Sequence, residues 1–379
     1  MKRILITARD PSTGFDLIRI INYLLREKDI FLFIFAEEPA YSIICKNTNF
    51  RFKNKKVNYF LLNELTSIDK KIKLKENILT LKPDIILTGI SGPDFGIDEI
   101  CIQISKELNF FNTFSLQSYW GDINPNFKEK ANNYFVIDEY AAEITKKRSP
   151  EANIYITGNQ QYKKWISHNW KKSRETFRNK YKIDENKRII SFFSQPLFKY
   201  KFYWETIFKF LDIISKEYKD YLLIIKAHPK DVDSFQNKLS ESCKSLEINY
   251  LFLKDENILE VISASDITVS LYSTVCYTAQ IMLSQASYPF TIPVYLFFNR
   301  DLKDYYKKTC FLDNIPLSDN KKSILINSVQ TIKESLVMSL DINFRLEVLR
   351  SIKKRFILNK KDPAKEIVKI LLESKKQKK

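Results

Sequence analysis

No apolar run in the sequence approaches the roughly 20 residues that a membrane-crossing helix needs, and the N-terminus offers only Ile4-Leu5-Ile6 before Arg9 and Asp10. A secretory leader and a transmembrane span are therefore not expected. The five cysteines (Cys45, Cys101, Cys243, Cys276 and Cys310) are scattered and lack CxxC spacing. That pattern speaks against a zinc site and a disulfide framework, and for a reducing cytoplasm. No repeat recurs at a fixed period. Histidine occurs only twice, at His168 and His228.

What is abundant is lysine. The formal charge of +17 could attract a polyanion. The lysines, however, run along the whole chain beside many Ile, Asn and Phe, which reads as biased residue usage. The signatures of nucleic-acid recognition are missing, so no nucleic-acid partner is expected. Peripheral attraction to the anionic inner face of a membrane, or to an anionic acceptor, stays open.

A length of 379 residues suggests two domains, and 44% hydrophobic content gives each enough material for a core. Strand Arg3 to Thr7, a polar loop through Gly14, a helix from about Phe15 to Arg26 and strand Ile30 to Phe35 begin a βα series with apolar strands, the mark of a parallel sheet covered on both faces. It continues through strands near residues 84–88, 113–116, 134–137 and 153–156. Residues 161–187 turn polar and helical and read as a connector. A second βα series runs over 188–345, and 346–379 reads as a helix with a basic tail. The expectation is α/β: two Rossmann-like, doubly wound lobes, 1–160 and 188–345, facing a central cleft. Ligands of such sheets bind beyond the carboxyl ends of the strands.

The sharpest local signal is Ile224-Ile225-Lys226-Ala227-His228-Pro229. An apolar strand stops, proline prevents its extension, and the imidazole of His228 projects from the sheet edge. It can donate to a phosphate oxygen, with Lys226 adding charge; a capping or turn histidine is the plainer alternative. His168, in the polar connector, reads as a surface residue. The strand at Ile267 to Ser270 gives way, past Tyr272, to a helix whose first turn carries Ser273 and Thr274, so that N–H groups and hydroxyls converge as an anion would require, with Tyr272 a further candidate contact. Ordinary helix capping is the alternative. Ser194 and Gln195, after the first strand of the second lobe, can hydrogen-bond a diphosphate or simply form a turn. In the first lobe the acidic candidates are Asp10, Asp94, Asp98 and Asp122. Glycines 89, 92 and 96 keep the Asp94 loop tight, so Asp94 is the preferred general base, with Asp10 second; Asp98 can instead cap its helix.

The His-Pro pair followed by a Ser/Thr pair is similar to the HP and S/T motifs of bacterial sialyltransferases, capsule Kdo transferases and CDP-glycerol glycerophosphotransferases, within the GT-B superfamily. The resemblance spans nearly the whole chain, and Lys361 to Ile367 looks like the closing helix of such proteins. It implies that His228, Pro229, Ser273 and Thr274 contact the donor nucleotide. The acidic Asp/Glu-Asp/Glu-Gly motif of the sialyltransferases is absent from the first lobe.

The implied function is an inverting, metal-independent glycosyltransferase. It would move a sugar from a nucleotide-sugar donor, CMP-linked ahead of UDP-linked, onto a glycan or glycolipid acceptor of the bacterial surface. The nucleotide sugar is a co-substrate and no further cofactor is expected; GT-B sites stabilise the departing phosphate with side chains and helix dipoles. The alternatives are an isomerase similar to UDP-N-acetylglucosamine 2-epimerases, whose Ser-Gly-Gly loop would fall at residues 271–273 where glycine is missing, and a non-catalytic sugar-nucleotide-binding protein.

Overall fold

The computed structural model describes residues 1–48, 57–61, 66–91, 95–124, 127–310, 312–356 and 362–374. These residues form two compact units: residues 1–162, 308–310 and 362–374 make the first, and residues 163–307 and 312–356 the second.

The first unit runs β1 (Lys2–Ala8), α1 (Pro11–Leu24), β2 (Ile30–Ala36), α2 (Ala40–Asn47), β3 (Val57–Leu61), α3 (Ser67–Leu81), β4 (Ile85–Thr88), α4 (Ile97–Glu107), β5 (Thr113–Leu116), β6 (Asn133–Val136), α5 (Glu139–Arg148) and β7 (Asn153–Ile156). Its strands pair in parallel in the order β3-β2-β1-β4-β5-β6-β7, with Ile4 opposite both Leu32 and Ile85. Successive side chains of a strand face opposite ways. In β1 this sends Ile4, Ile6 and Ala8 into a core with Leu17, Ile20 and Ile21 of α1, while Leu5 joins Leu74 and Ile78 of α3 and Ile100 of α4 on the other face. Both faces are apolar because both are covered by helices.

The second unit runs α6 (Tyr162–Ile166), α7 (Trp170–Lys180), β8 (Ile189–Phe193), α8 (Lys201–Glu217), β9 (Leu222–Lys226), α9 (Asp233–Ser245), β10 (Tyr250–Leu253), α10 (Ile258–Ala264), β11 (Ile267–Ser270), α11 (Thr274–Ser284), β12 (Ile292–Leu296), α12 (Arg300–Cys310), β13 (Ile324–Ile326), α13 (Ile332–Met338) and α14 (Ile342–Arg355). A last helix, α15 (Pro363–Glu373), returns to the first unit and packs on α1. The second sheet is also parallel throughout, in the order β10-β9-β8-β11-β12-β13. Among the described residues no helix is long and apolar enough to cross a membrane.

Three details differ from the pattern reading. Helix α1 starts at Pro11 rather than near Phe15, because proline suits the first helical turn and Asp10 is extended in the N-cap position. Gly14 then lies inside the helix, where a β-carbon would stand 3.1 Å from the Ala40 α-carbon, so its absence lets α1 and α2 approach closely. The segment read as a connector is part of the second unit: Arg174 of α7 donates to the carbonyls of Ser263, Ala264 and Ser265 at the end of α10. The tail is two helices, since Pro363 opens a new one after Asp362 caps it. The basic residues Lys375 to Lys379 lie outside the described residues.

Candidate functional site

Strand order in the second sheet reverses between β8 and β11, and β9 lies on the far side of β8. The loops after β9, β8 and β11 therefore leave the carboxyl edge side by side, where ligands of open parallel sheets collect. These loops carry Ala227 to Lys230, Ser194 to Pro196, and Leu271 to Ser273.

His228 and Pro229 begin a β-turn closed by Asp231 N–H donating to the His228 carbonyl at 2.9 Å. Pro229 takes the position for which its fixed φ is pre-set. Inside the turn the Lys230 N–H donates to His228 Nδ1 at 3.0 Å. With Nδ1 accepting, the proton of the neutral ring resides on Nε2. Burial, followed by the charges of Lys230 and Lys226, pushes the imidazole down to about 4, so it is a neutral donor at physiological pH. The His228 N–H itself donates to Ser194 Oγ at 2.7 Å and to Asp231 Oδ2 at 2.8 Å.

The loop after β8 joins its two neighbours. Ser194 Oγ donates to Asp231, on the β9 side. Gln195 Oε1 accepts the Tyr272 N–H at 3.0 Å, on the β11 side, while the Gln195 N–H donates to the Tyr203 hydroxyl at 2.9 Å. Ser273 is the N-cap of α11, its Oγ accepting the Val275 N–H at 3.3 Å, and Thr274 is the first, exposed, helical residue. The first N–H groups of a helix have no acceptor within it, so the start of α11 adds donors and the positive end of a helix dipole to this rim.

Two sequence candidates occupy the rim differently from expectation. Lys226 turns its Nζ onto the carbonyls of Ala227 at 2.9 Å and Lys254 at 2.7 Å, tying the ends of β9 and β10 together, and burial lowers its pKa. The Ser194 hydroxyl donates to Asp231 and accepts from His228, so it stitches loops. His168, read as a surface residue, is half-buried, with its Nε2 enclosed and without a partner among the described residues. Burial holds it below the ordinary histidine range.

Asp231 went unnoticed in the sequence reading. It is buried at 7% exposure and reaches Ser194 across 37 positions of chain. No spacing rule connects them, and the one available cue was an acidic residue shortly after a His-Pro turn.

The first sheet reverses between β1 and β4. Asp10, after β1, lies 3.6 Å from Arg9 Nε, and its side chain does not cap α1. Asp94, with Gly92 and Pro93, lies outside the described residues. Asp98 does not cap α4; Glu99 does, accepting the Gly96 N–H at 3.1 Å. Asp98 is fully buried and accepts from the Thr7 hydroxyl at 2.6 Å, the Gly89 N–H at 2.9 Å and the Ser91 hydroxyl at 2.5 Å. Burial, then the adjacent Glu99 charge, pushes it up to about 7. Asp122, half-buried after β5, is raised to about 7 by burial and by the charges of Asp10 and Asp16. Asp16 on α1 rises to about 6 through burial, moderated by hydrogen bonds from Ser118 and Gln161. Among the described residues no three His, Cys, Asp or Glu side chains are placed to hold a metal ion.

No protein-family model and no curated protein sequence matches the chain. Solved structures do match. UDP-GlcNAc 2-epimerase from Neisseria meningitidis, bound to UDP-GlcNAc, aligns with a TM-score of 0.67 at 14% identity over 98% of this chain and 100% of its own. A glycosyltransferase from Rickettsia africae aligns at 0.65 and 13% identity over 99% of both chains. UDP-GlcNAc 2-epimerase from Methanocaldococcus jannaschii, in complex with UDP-GlcNAc and UDP, aligns at 0.63 and 13% identity over 98% of this chain and 100% of its own. Likeness at such identity speaks for fold: the chain has the GT-B-like, two-unit α/β architecture that these epimerases and glycosyltransferases share.

Proposed function

We propose that the chain is an enzyme acting on a nucleotide-activated sugar, with the diphosphate held at the carboxyl rim of the second sheet by His228, the turn at Pro229 and the start of α11 at Ser273 and Thr274. The observation that carries this reading is the shared seam. One loop, Ser194-Gln195, is hydrogen-bonded to the His228 turn on one side and to Tyr272 on the other. A neutral Nε2–H donor and a helix N-terminus on one edge suit an anion without requiring a buried counter-charge. The ligands named in the matching epimerase structures favour UDP over CMP as the nucleotide.

Of the two chemistries such a site can serve, epimerisation at carbon 2 of UDP-N-acetylglucosamine has the better support. Several of the matching structures are UDP-GlcNAc 2-epimerases. Epimerisation needs one group to take a proton and another to return one, and such groups work best with pKa values near the operating pH. The first unit carries carboxyls in that range. Asp98 is enclosed by its three donors; Asp122, which accepts the Ser118 N–H at 3.2 Å, is half-buried and is the more accessible candidate for proton transfer.

Sugar transfer is the second reading, favoured by the Rickettsia structure and by Leu271-Tyr272-Ser273, which lacks the glycines of the epimerase loop. In that reading Asp94, then Asp10, takes the proton of an acceptor hydroxyl. Incubation with UDP-N-acetylglucosamine alone, followed by proton NMR, separates the two: a 2-epimer formed without acceptor supports isomerisation, and UDP released only when a glycan or glycolipid is added supports transfer. In either case His228→Ala should lower kcat/KM by about 100-fold or more, the usual cost of losing a preorganised donor. An unchanged rate would remove His228 from the site.

A further inference from the structure

We infer that Asp231 is a positioning residue for His228, holding the imidazole in the Nε2–H form and aiming it for a diphosphate; this rests on the donor-site reading above. One carboxylate oxygen, Oδ2, accepts from the His228 N–H at 2.8 Å and from the Ser194 hydroxyl, which itself accepts the same His228 N–H at 2.7 Å. The Asp231 N–H closes the turn on the His228 carbonyl at 2.9 Å, and within that turn the Lys230 N–H donates to Nδ1 at 3.0 Å. The bond that fixes the tautomer thus exists only while the turn is closed, and Asp231 closes it from both its side chain and its backbone.

The second oxygen of Asp231, Oδ1, is enclosed and without a partner among the described residues. Leaving a buried carboxylate oxygen unpaired is unfavourable, and in a structural role both oxygens are normally satisfied. Here one oxygen supports the turn while the other stands unpartnered beside the Ser194 and His228 loops. Burial raises the Asp231 carboxyl above its ordinary value, and the hydrogen bonds from Ser194 and the His228 N–H work against that rise. The Lys226 charge also opposes that rise, and its ammonium is bonded to backbone carbonyls.

The protein has two histidines, so imidazole NMR of the whole chain gives two ring signals, with His168 as internal control. In the wild type the His228 ring should show the Nε2–H tautomer and remain neutral below pH 6. In Asp231→Ala its tautomer preference should relax, while His168 stays put. Binding of UDP, followed by calorimetry, should weaken by about tenfold or more, the effect of losing one charge-assisted hydrogen bond, and Asp231→Asn should recover most of it. Should Asp231→Ala fail to fold, Ser194→Ala removes the bridging hydroxyl and should shift the His228 signals in the same direction. Unchanged His228 signals together with wild-type UDP affinity in Asp231→Ala would overturn the assignment. If the wild type itself does not bind UDP, the donor-site reading fails, while the ring signals still decide whether Asp231 positions His228.

Discussion

A β-carbon at position 89 would stand 2.1 Å from Thr13 Cγ2, closer than any relaxed contact, so β4 can meet α1 here only through glycine. Gly89→Ala should cost about 1–3 kcal/mol in urea unfolding, the range for overpacking, and adding Thr13→Ala should return part of it, the residue-13 β-carbon still standing 2.9 Å from the new one. Asp98 gives a pH signature. Its carboxyl is raised from 3.8 to about 7, so the folded chain holds that proton more tightly than the unfolded one. The stabilisation this supplies is complete below the unfolded pKa and fades as pH climbs through the folded one. Asp98→Asn should flatten that part of the profile, so thermal melts at pH 5 and pH 8 should differ less in the variant than in the wild type. Asp266 is a third test. At the start of β11 it accepts from Arg174 at 2.9 Å and from the Ile189 N–H at 2.8 Å, with Arg178 and Arg188 within 3.8 Å. Asp266→Ala should cost about 3–5 kcal/mol, since buried Arg178 and partly buried Arg174 would lose their counter-charge; a loss below about 1 kcal/mol would show that the cluster is not a structural anchor. That His228 and Ser273 lie just beyond strand ends was legible in the sequence, because each follows an apolar run. Asp266 and Asp231 were not, because what matters about them is a set of partners brought together by strand order, which local pattern does not encode.

At the scale of elements, α15 shows how far a helix can depend on remote chain. Asp362 caps its start and accepts from Arg19 at 2.5 Å and Tyr23 at 2.7 Å, both on α1. Lys2 Nζ donates to the carbonyls of Leu371, Leu372 and Ser374 at its far end, where a cation complements the helix dipole. Between these ties Ala364, Ile367, Val368 and Leu371 are buried in the first unit's core. Burial alone would raise the Asp362 carboxyl, but the Tyr23 hydrogen bond and the Arg19 charge hold it below the ordinary range. Its contribution is therefore present above the unfolded pKa and disappears as pH falls through the folded one, so the protection of α15 amides, measured as exchange relative to the intrinsic rate, should fall in acid below about pH 4. Asp362→Ala should bring the same loosening to neutral pH, seen as faster limited proteolysis of the tail. The apolar rhythm of Ile367, Ile370 and Leu371 announced a helix. Its surface of attachment was invisible, because α1 lies at the opposite end of the sequence.

For the whole molecule, two sheets with separate cores predict unfolding that is not a single two-state step. Scanning calorimetry should give a calorimetric enthalpy above the van't Hoff value. If UDP binds at the second sheet, UDP at 100 times its dissociation constant should stabilise one transition by about 2.7 kcal/mol and leave the other in place. Equal movement of both would point to ligand contacts beyond the second unit. The doubled βα alternation made this architecture readable from hydrophobic pattern alone, since strands covered on both faces are apolar throughout. The choice between isomerisation and transfer was not, because the same two-unit fold occurs in epimerases and in a glycosyltransferase.

The return of α15 to the first unit has a consequence for how the polypeptide comes into being. A ribosome finishes every strand of the second unit before it reaches Pro363, yet the first unit, begun earliest, still lacks the piece that seals α1. The order of synthesis is thus the reverse of the order of completion: the half that emerges later can close first, while the earlier half waits with an apolar seam open to chaperones until the final helix is released.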